Sequence, residues 1–209
     1  MPRRIKASGA QFCIYKFKRS ASPLSGETLS RQIELIGDGD RSGERLMNIA
    51  VFGIGNILLS DDGVGVHALH KLKNEYYFSK SIELIDGGTK GLDLLPLFEN
   101  RDKVLIIDAA NFKKEPGTID LVAGDKIPAF LSSKLSVHQI GLPDMLFAAK
   151  LMEIMPSEIC LIGIQPLSME TATEMSDVIS RKMGALIDRV LEKLKEWGVD
   201  GVRKNTTVI

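Results

Sequence analysis

The sequence predicts an α/β fold: a single three-layer domain whose mostly parallel, twisted sheet carries helices on both faces. Three observations carry this prediction. From Met47 onward, short apolar runs alternate with segments of helical period, the pattern of repeated βαβ units. The run Val104-Leu105-Ile106-Ile107 is continuously apolar, as a strand buried on both faces must be. Three such runs end in polar signals: Gly53-Ile54-Gly55-Asn56 leading to Asp61-Asp62, Asp86-Gly87-Gly88-Thr89, and Asp108-Ala109. Strand carboxyl ends share one edge in a parallel sheet, so these acids are expected to gather at one crevice.

Taken in order, Asn48-Ile49-Ala50-Val51-Phe52 reads as a strand, followed by a glycine loop and a helix near 63–78 with Val64, Val66, Leu69 and Leu72 on its apolar face. A second strand, Ile82 to Ile85, leads into Asp86, and a short helix crosses Leu92, Leu95 and Phe98. After the strand ending at Asp108, the Pro116-Gly117 turn introduces a further strand at 118–122. Residues 123–140 read as loop or short helix and contain Ser136-Val137-His138-Gln139. A helix near 142–155, a strand at 159–164 and a long amphipathic helix from about 171 to 196 complete the pattern, leaving 198–209 as a loose C-terminal tail.

The chain of 209 residues, 44% hydrophobic and 26% charged, suits one domain with a real core. No run approaches the roughly 18 consecutive apolar residues of a membrane span, so no membrane insertion is expected. Basic and acidic residues balance at 27 each, but residues 1–46 hold nine basic and five acidic ones, leaving 18 and 22 for the remainder. An acidic body gives no reason to expect nucleic acid as a partner. Cys13 and Cys160 lie far apart in dissimilar contexts, which excludes a disulfide framework and points to a reducing, cytoplasmic location.

Residues 1–46 differ in kind. Gly37-Asp38-Gly39-Asp40-Arg41-Ser42-Gly43 has no apolar period, and the segment reads as a disordered extension or a mis-assigned start ahead of Met47. A secretory signal is not expected, because no apolar stretch follows Arg3-Arg4-Ile5-Lys6.

Among the candidate site residues, Gly53-Ile54-Gly55 imitates a dinucleotide fingerprint, yet Leu58 stands where the third glycine belongs. Asp61 is most simply a helix N-cap, which leaves Asp62 surplus to capping. Asp108 closes a buried strand, where a lone carboxylate is costly without a metal, a cation or a donor. Asp86 precedes two glycines and suits a turn former as well as a site residue. His138 lies in a loop; His67 and His70, spaced i, i+3, read as surface helix residues. Two carboxylates and an imidazole suit a borderline divalent metal such as nickel, zinc or iron and leave open positions for substrate or water. Serine or cysteine nucleophiles are disfavoured, since Cys160 lies inside a strand and no Gly-x-Ser-x-Gly elbow occurs.

At these residues the chain resembles the hydrogenase maturation endopeptidases, which trim the large subunit of nickel-iron hydrogenases. The matching stretches run from Phe52 to Gly63, then Asp86-Gly87-Gly88-Thr89, Ile107-Asp108-Ala109, Pro116-Gly117-Thr118, His138-Gln139-Ile140-Gly141-Leu142 and Leu161-Ile162-Gly163-Ile164-Gln165-Pro166, in family order across about 47–197. The resemblance implies an endopeptidase, metal-dependent or aspartic in type, that removes a C-terminal peptide from a nickel-loaded large-subunit precursor and uses that nickel for recognition. It implies Asp62, Asp108 and His138 as catalytic, metal-contacting residues, with nickel supplied by the substrate, and Asp86 as a further catalytic acid with a loop-shaping or positioning part. Some members carry Glu where Asp62 stands. The competing expectations are a non-catalytic, nickel-binding hydrogenase assembly chaperone and a nucleotide-binding domain using the Gly53 loop.

Overall fold

The computed structural model describes residues 47–127 and 141–204; the extension 1–46 and His138 lie outside them. Five strands form the main sheet: β1 (Ile49–Ile54), β3 (Ile82–Gly88), β4 (Lys103–Ala109), β5 (Ile119–Ala123) and β6 (Glu158–Ile164). Their order is β3-β1-β4-β6-β5, parallel throughout except that β5 runs antiparallel to β6. The turn at Gly117, whose φ of 84° suits glycine, reverses the chain into that edge strand.

Helices cover both faces, as expected for a sheet whose central strands are apolar on both sides. One face of β1, β4 and β6 (Ile49, Val51, Leu105, Ile107, Ile162) packs against α1 (Val64–Glu75) and α3 (Asp177–Glu196). The stripe Ile179, Met183, Leu186, Ile187, Val190 and Leu194 supplies the buried face of α3, at the spacing a helix needs. Against the other face (Ala50, Phe52, Val104, Ile106, Leu161) pack a 3-10 helix, Gly91–Leu97, and α2 (Leu142–Leu151). Phe52 and Phe98 meet there with ring centroids 5.0 Å apart. Among the described residues no helix is long and apolar enough to cross a membrane.

Several boundaries differ from the sequence expectation. The first helix divides into a 3-10 turn, Ser60–Gly63, and α1, which ends at Glu75; Tyr76–Phe78 then form β2. Residues 201–203 are not loose: Gly201–Arg203 make β7, antiparallel to β2. Arg203 reaches back to the Glu75 carboxylate at 3.0 Å, and the Lys204 ammonium lies 4.8 Å from the Tyr77 ring centre. The helix expected to 155 stops at Leu151, with Glu153 in a left-handed conformation at φ 58°. The helix expected from 171 begins at Asp177, where Ser176 caps it by accepting from the Ile179 amide at 3.4 Å.

The topology has a switch point. From β1 the chain passes to β3 on one side and returns to β4 on the other, so excursions diverge between β1 and β4 at the carboxyl edge, where open α/β sheets bind ligands. Gly65 sets how closely α1 covers that point. A Cβ there would lie 2.2 Å from the Ile107 carbonyl oxygen and 2.4 Å from that of Ile54, so only glycine lets the first turn of α1 rest on both strand ends.

Candidate active site

Asp62 sits three residues before Gly65, in the 3-10 turn that leads into α1. Its Oδ2 accepts the Asn56 amide at 2.7 Å, which ties the carboxylate to the loop leaving β1. Asp108 pairs in register with Gly163 on β6 and is only 7% exposed. Its neighbour in the sheet therefore presents no side chain beside it. The contact of Gly65 with Ile54 and Ile107 brings the turn that carries Asp62 and the strand end that carries Asp108 to one edge of the sheet.

Asp86 reaches the same edge but another face. Side chains alternate along a strand. Ile82 and Leu84 pack with the core under α1 and α3, and Asp86 shares their side; Asp108 shares the side of Val104 and Ile106, beneath α2. Accordingly the Asp86 Oδ2 lies 3.0 Å from the His70 Nε2 on α1, and its carbonyl accepts from the Lys90 ammonium at 3.1 Å. The expectation that three strand-end acids enter one crevice thus holds for the edge, while Asp86 and Asp108 leave the sheet in opposite directions. His70 is the exposed helix residue expected, now with a partner. His67 is half-buried rather than on the surface; its Nε2 is buried without a hydrogen bond, and burial, helped by the charge of His70, lowers its pKa.

His138 lies outside the described residues. Among the described residues no three His, Cys, Asp or Glu side chains come together closely enough to hold a metal ion. Cys160 is 1% exposed and burial pushes its thiol up, so a thiolate nucleophile is not available there.

Two structural supports of the loops at this edge escaped the sequence reading. Asp61 does not cap α1, whose N-terminus at Gly63 has no side-chain cap. Wholly buried, it accepts instead from the Leu167 amide at 2.9 Å, the Ser168 amide at 3.0 Å, and the Ser176 amide and hydroxyl at 2.7 and 2.9 Å. Gln165 plays a similar part for the loop after β4: its Oε1 accepts from the Phe112 amide at 2.7 Å, and its backbone oxygen from Gly117 at 2.8 Å. The sequence put Asp61 at a helix start and Gln165 at the end of an apolar run. Neither points to a distant loop.

Chemically, the described part of the site offers two carboxylates on one strand edge, oxygen donors suited to a divalent ion or to accepting a proton from water. With that geometry in place, likeness to known proteins becomes informative. Residues 66–193 match the hydrogenase maturation protease (HycI) family. The chain is 36% identical over 157 residues to the hydrogenase 2 maturation protease of Escherichia coli, covering 75% of this chain and 96% of the relative. It is 37% identical over 153 residues to the hydrogenase expression/formation protein HupD of Rhizobium leguminosarum, covering 72% and 76%. Among solved structures, the hydrogenase maturating endopeptidase HybD from Escherichia coli superposes with a TM-score of 0.72 at 34% identity, over 77% of this chain and all of that one. The family match, the similar sequences and the superposed fold agree, and this chain belongs to the hydrogenase maturation protease family.

Proposed function

We propose that this protein is an endopeptidase that removes a C-terminal peptide from the nickel-loaded precursor of a nickel-iron hydrogenase large subunit, with the bound nickel as its recognition handle. The observation that carries the reading is the contact of Gly65 with the ends of β1 and β4, which sets Asp62 and the nearly buried Asp108 on one edge at the topological switch point. Relatives named as maturation proteases supply the reaction class.

Nickel enters this scheme as cargo of the substrate. An ion already held by precursor thiolates needs only a few further donors, and two carboxylates with the imidazole of His138 are a set that a borderline divalent ion accepts. Binding through the ion would orient the scissile bond against the edge, so that hydrolysis gains from proximity. A carboxylate at that edge can take the proton of the attacking water, and a bound ion can polarise the amide carbonyl.

The test is a mass measurement on nickel-loaded and nickel-free precursor after incubation with the wild-type protein and with Asp62→Ala. Loss of a C-terminal peptide only with nickel and only with wild type supports the reading. A stable complex with loaded precursor and no cleavage by wild type would replace the protease with a nickel-binding chaperone.

A further inference from the structure

We infer that Asp61 is a positioning residue, a buried latch that joins the loop bearing Asp62 to the segment between β6 and α3 and so holds the Asp62 carboxylate in place. The inference uses the protease reading above only for its activity readout. Asp61 is 0% exposed, and its two oxygens take four donors, all from residues 167–176: the amides of Leu167, Ser168 and Ser176 and the Ser176 hydroxyl, at 2.7–3.0 Å. Backbone bonds stitch the same two segments together beside it. Ser60 donates to the Ala172 oxygen at 2.8 Å, Ala172 donates to that of Leu58 at 3.0 Å, and Asp61 donates to that of Ser168 at 3.2 Å. The Ser60 hydroxyl adds a bond to the Glu174 oxygen at 3.1 Å.

Three features favour positioning over bulk stability. Burying a charge is a poor means of stabilising a fold, since its desolvation offsets most of the gain. The latch also holds strain: Ser60, directly before it, has φ 48°, a conformation that persists in a non-glycine residue only when its surroundings impose it. Finally, Ser176 shares its hydroxyl between Asp61 and the Ile179 amide, so the latch extends into the first turn of α3, which is anchored on the sheet. Asp62 is the next residue, and its own carboxylate is fixed from the other side by Asn56. A carboxylate held from both flanks in this way is preorganised.

The test uses Asp61→Asn and Ser176→Ala in the full chain. Asparagine keeps the shape but turns an NH2 group toward donors, so the latch loses the Ser176 amide bond if NH2 takes the place of Oδ1, and the Leu167, Ser168 and Ser176 hydroxyl bonds if it takes that of Oδ2. Folding is checked by thermal melts, and the latch by amide exchange at Leu167, Ser168 and Ser176. With nickel-loaded precursor, KM for Asp61→Asn is expected to rise about tenfold or more per folded molecule, because small displacements at a site are amplified in binding and rate. A merely structural residue would lower the active fraction and leave KM unchanged, and that result overturns the inference. Should Asp61→Asn fail to fold, Ser176→Ala decides: a raised KM with faster exchange at Leu167 supports the latch, and a wild-type KM refutes it. If wild type cleaves no precursor at all, the protease reading falls and the 13C shift of the Asp62 carboxyl becomes the readout. Its displacement in Ser176→Ala, which leaves residue 61 and its charge unchanged, sustains the latch; an unmoved signal ends it.

Discussion

At the scale of single residues, three acids have separate fates decided by what each side chain meets. Asp61 is consumed by backbone donors, Asp62 keeps one oxygen on Asn56, and Asp108 sits 7% exposed at the end of a buried strand. Asp108→Asn, which keeps volume and removes charge, is expected to leave the melting curve within a few degrees of wild type and to slow precursor cleavage by at least about a hundredfold, as loss of a base or ion ligand does. Mass spectrometry beside circular dichroism checks both halves. His67→Ala should change cleavage by less than about twofold, since the imidazole Nε2 makes no hydrogen bond whose loss could disturb the loop of Asp62. Gly65→Ala is the opposite case. The added methyl would meet two backbone oxygens at 2.2 and 2.4 Å, neither of which can swing away as a side chain would. A loss of about 3 kcal/mol in urea unfolding is expected, at the upper end of overpacking costs, together with loss of cleavage. The place of Asp62 and Asp108 at the carboxyl edge of the sheet was legible, because one follows the apolar run of β1 and the other ends that of β4. Asp61 was not, because its partners lie 106 to 115 positions away in sequence and nothing local announces them.

At the scale of elements, the sequence was most readable where burial imposes a pattern. β1, β4 and β6 are apolar runs flanked by glycine or acid, and each forms close to where the pattern puts it. β2 was hidden. Tyr76-Tyr77-Phe78 continues the helical segment without a glycine or proline stop, and only pairing with Gly201–Arg203 makes it a strand. The same holds for residues 165–176, whose course is set by Asp61 rather than by their own propensity. The direction of β5 was equally invisible, since four half-buried residues and an exposed one pair as well either way until the Gly117 turn fixes the return. Within α3, Gly184 faces open space and a methyl there would touch nothing within 4 Å. Gly184→Ala is therefore expected to stabilise the protein by roughly 0.5–1 kcal/mol, the ordinary helix penalty of glycine, without altering cleavage. Denaturant midpoints for this variant and for Gly65→Ala should move in opposite directions.

At the scale of the whole molecule, the candidate site and the Glu158 ion pairs occupy opposite edges of the sheet. At the amino edge, Glu158 opens β6 and meets the ammonium groups of Lys193 on α3 at 3.0 Å and Lys103 on β4 at 3.2 Å. Partial burial by itself would raise this carboxyl, but its partners more than reverse that and hold it at about 2, against an ordinary 4.5. We assign the reversal to the lysines, because the Trp197 indole nitrogen on the same side makes no hydrogen bond. A folded pKa below the unfolded one means that the stabilisation is complete above pH 4.5 and is lost as pH falls from there toward 2. Melting temperatures measured across that interval should drop more steeply for wild type than for Glu158→Gln, while the two proteins cleave alike at neutral pH. The short ribbon of β2 and β7 adds a matter of timing. Tyr77 faces Val202 across 125 positions, so during synthesis the sheet strands and both large helices emerge while Tyr76–Phe78 still lacks its mate. An unmatched strand is a template for pairing with a neighbouring chain, and distant contacts close slowly. Every nascent copy therefore passes through an interval of vulnerability to misassociation, which ends when three late-translated residues cover a segment made long before them.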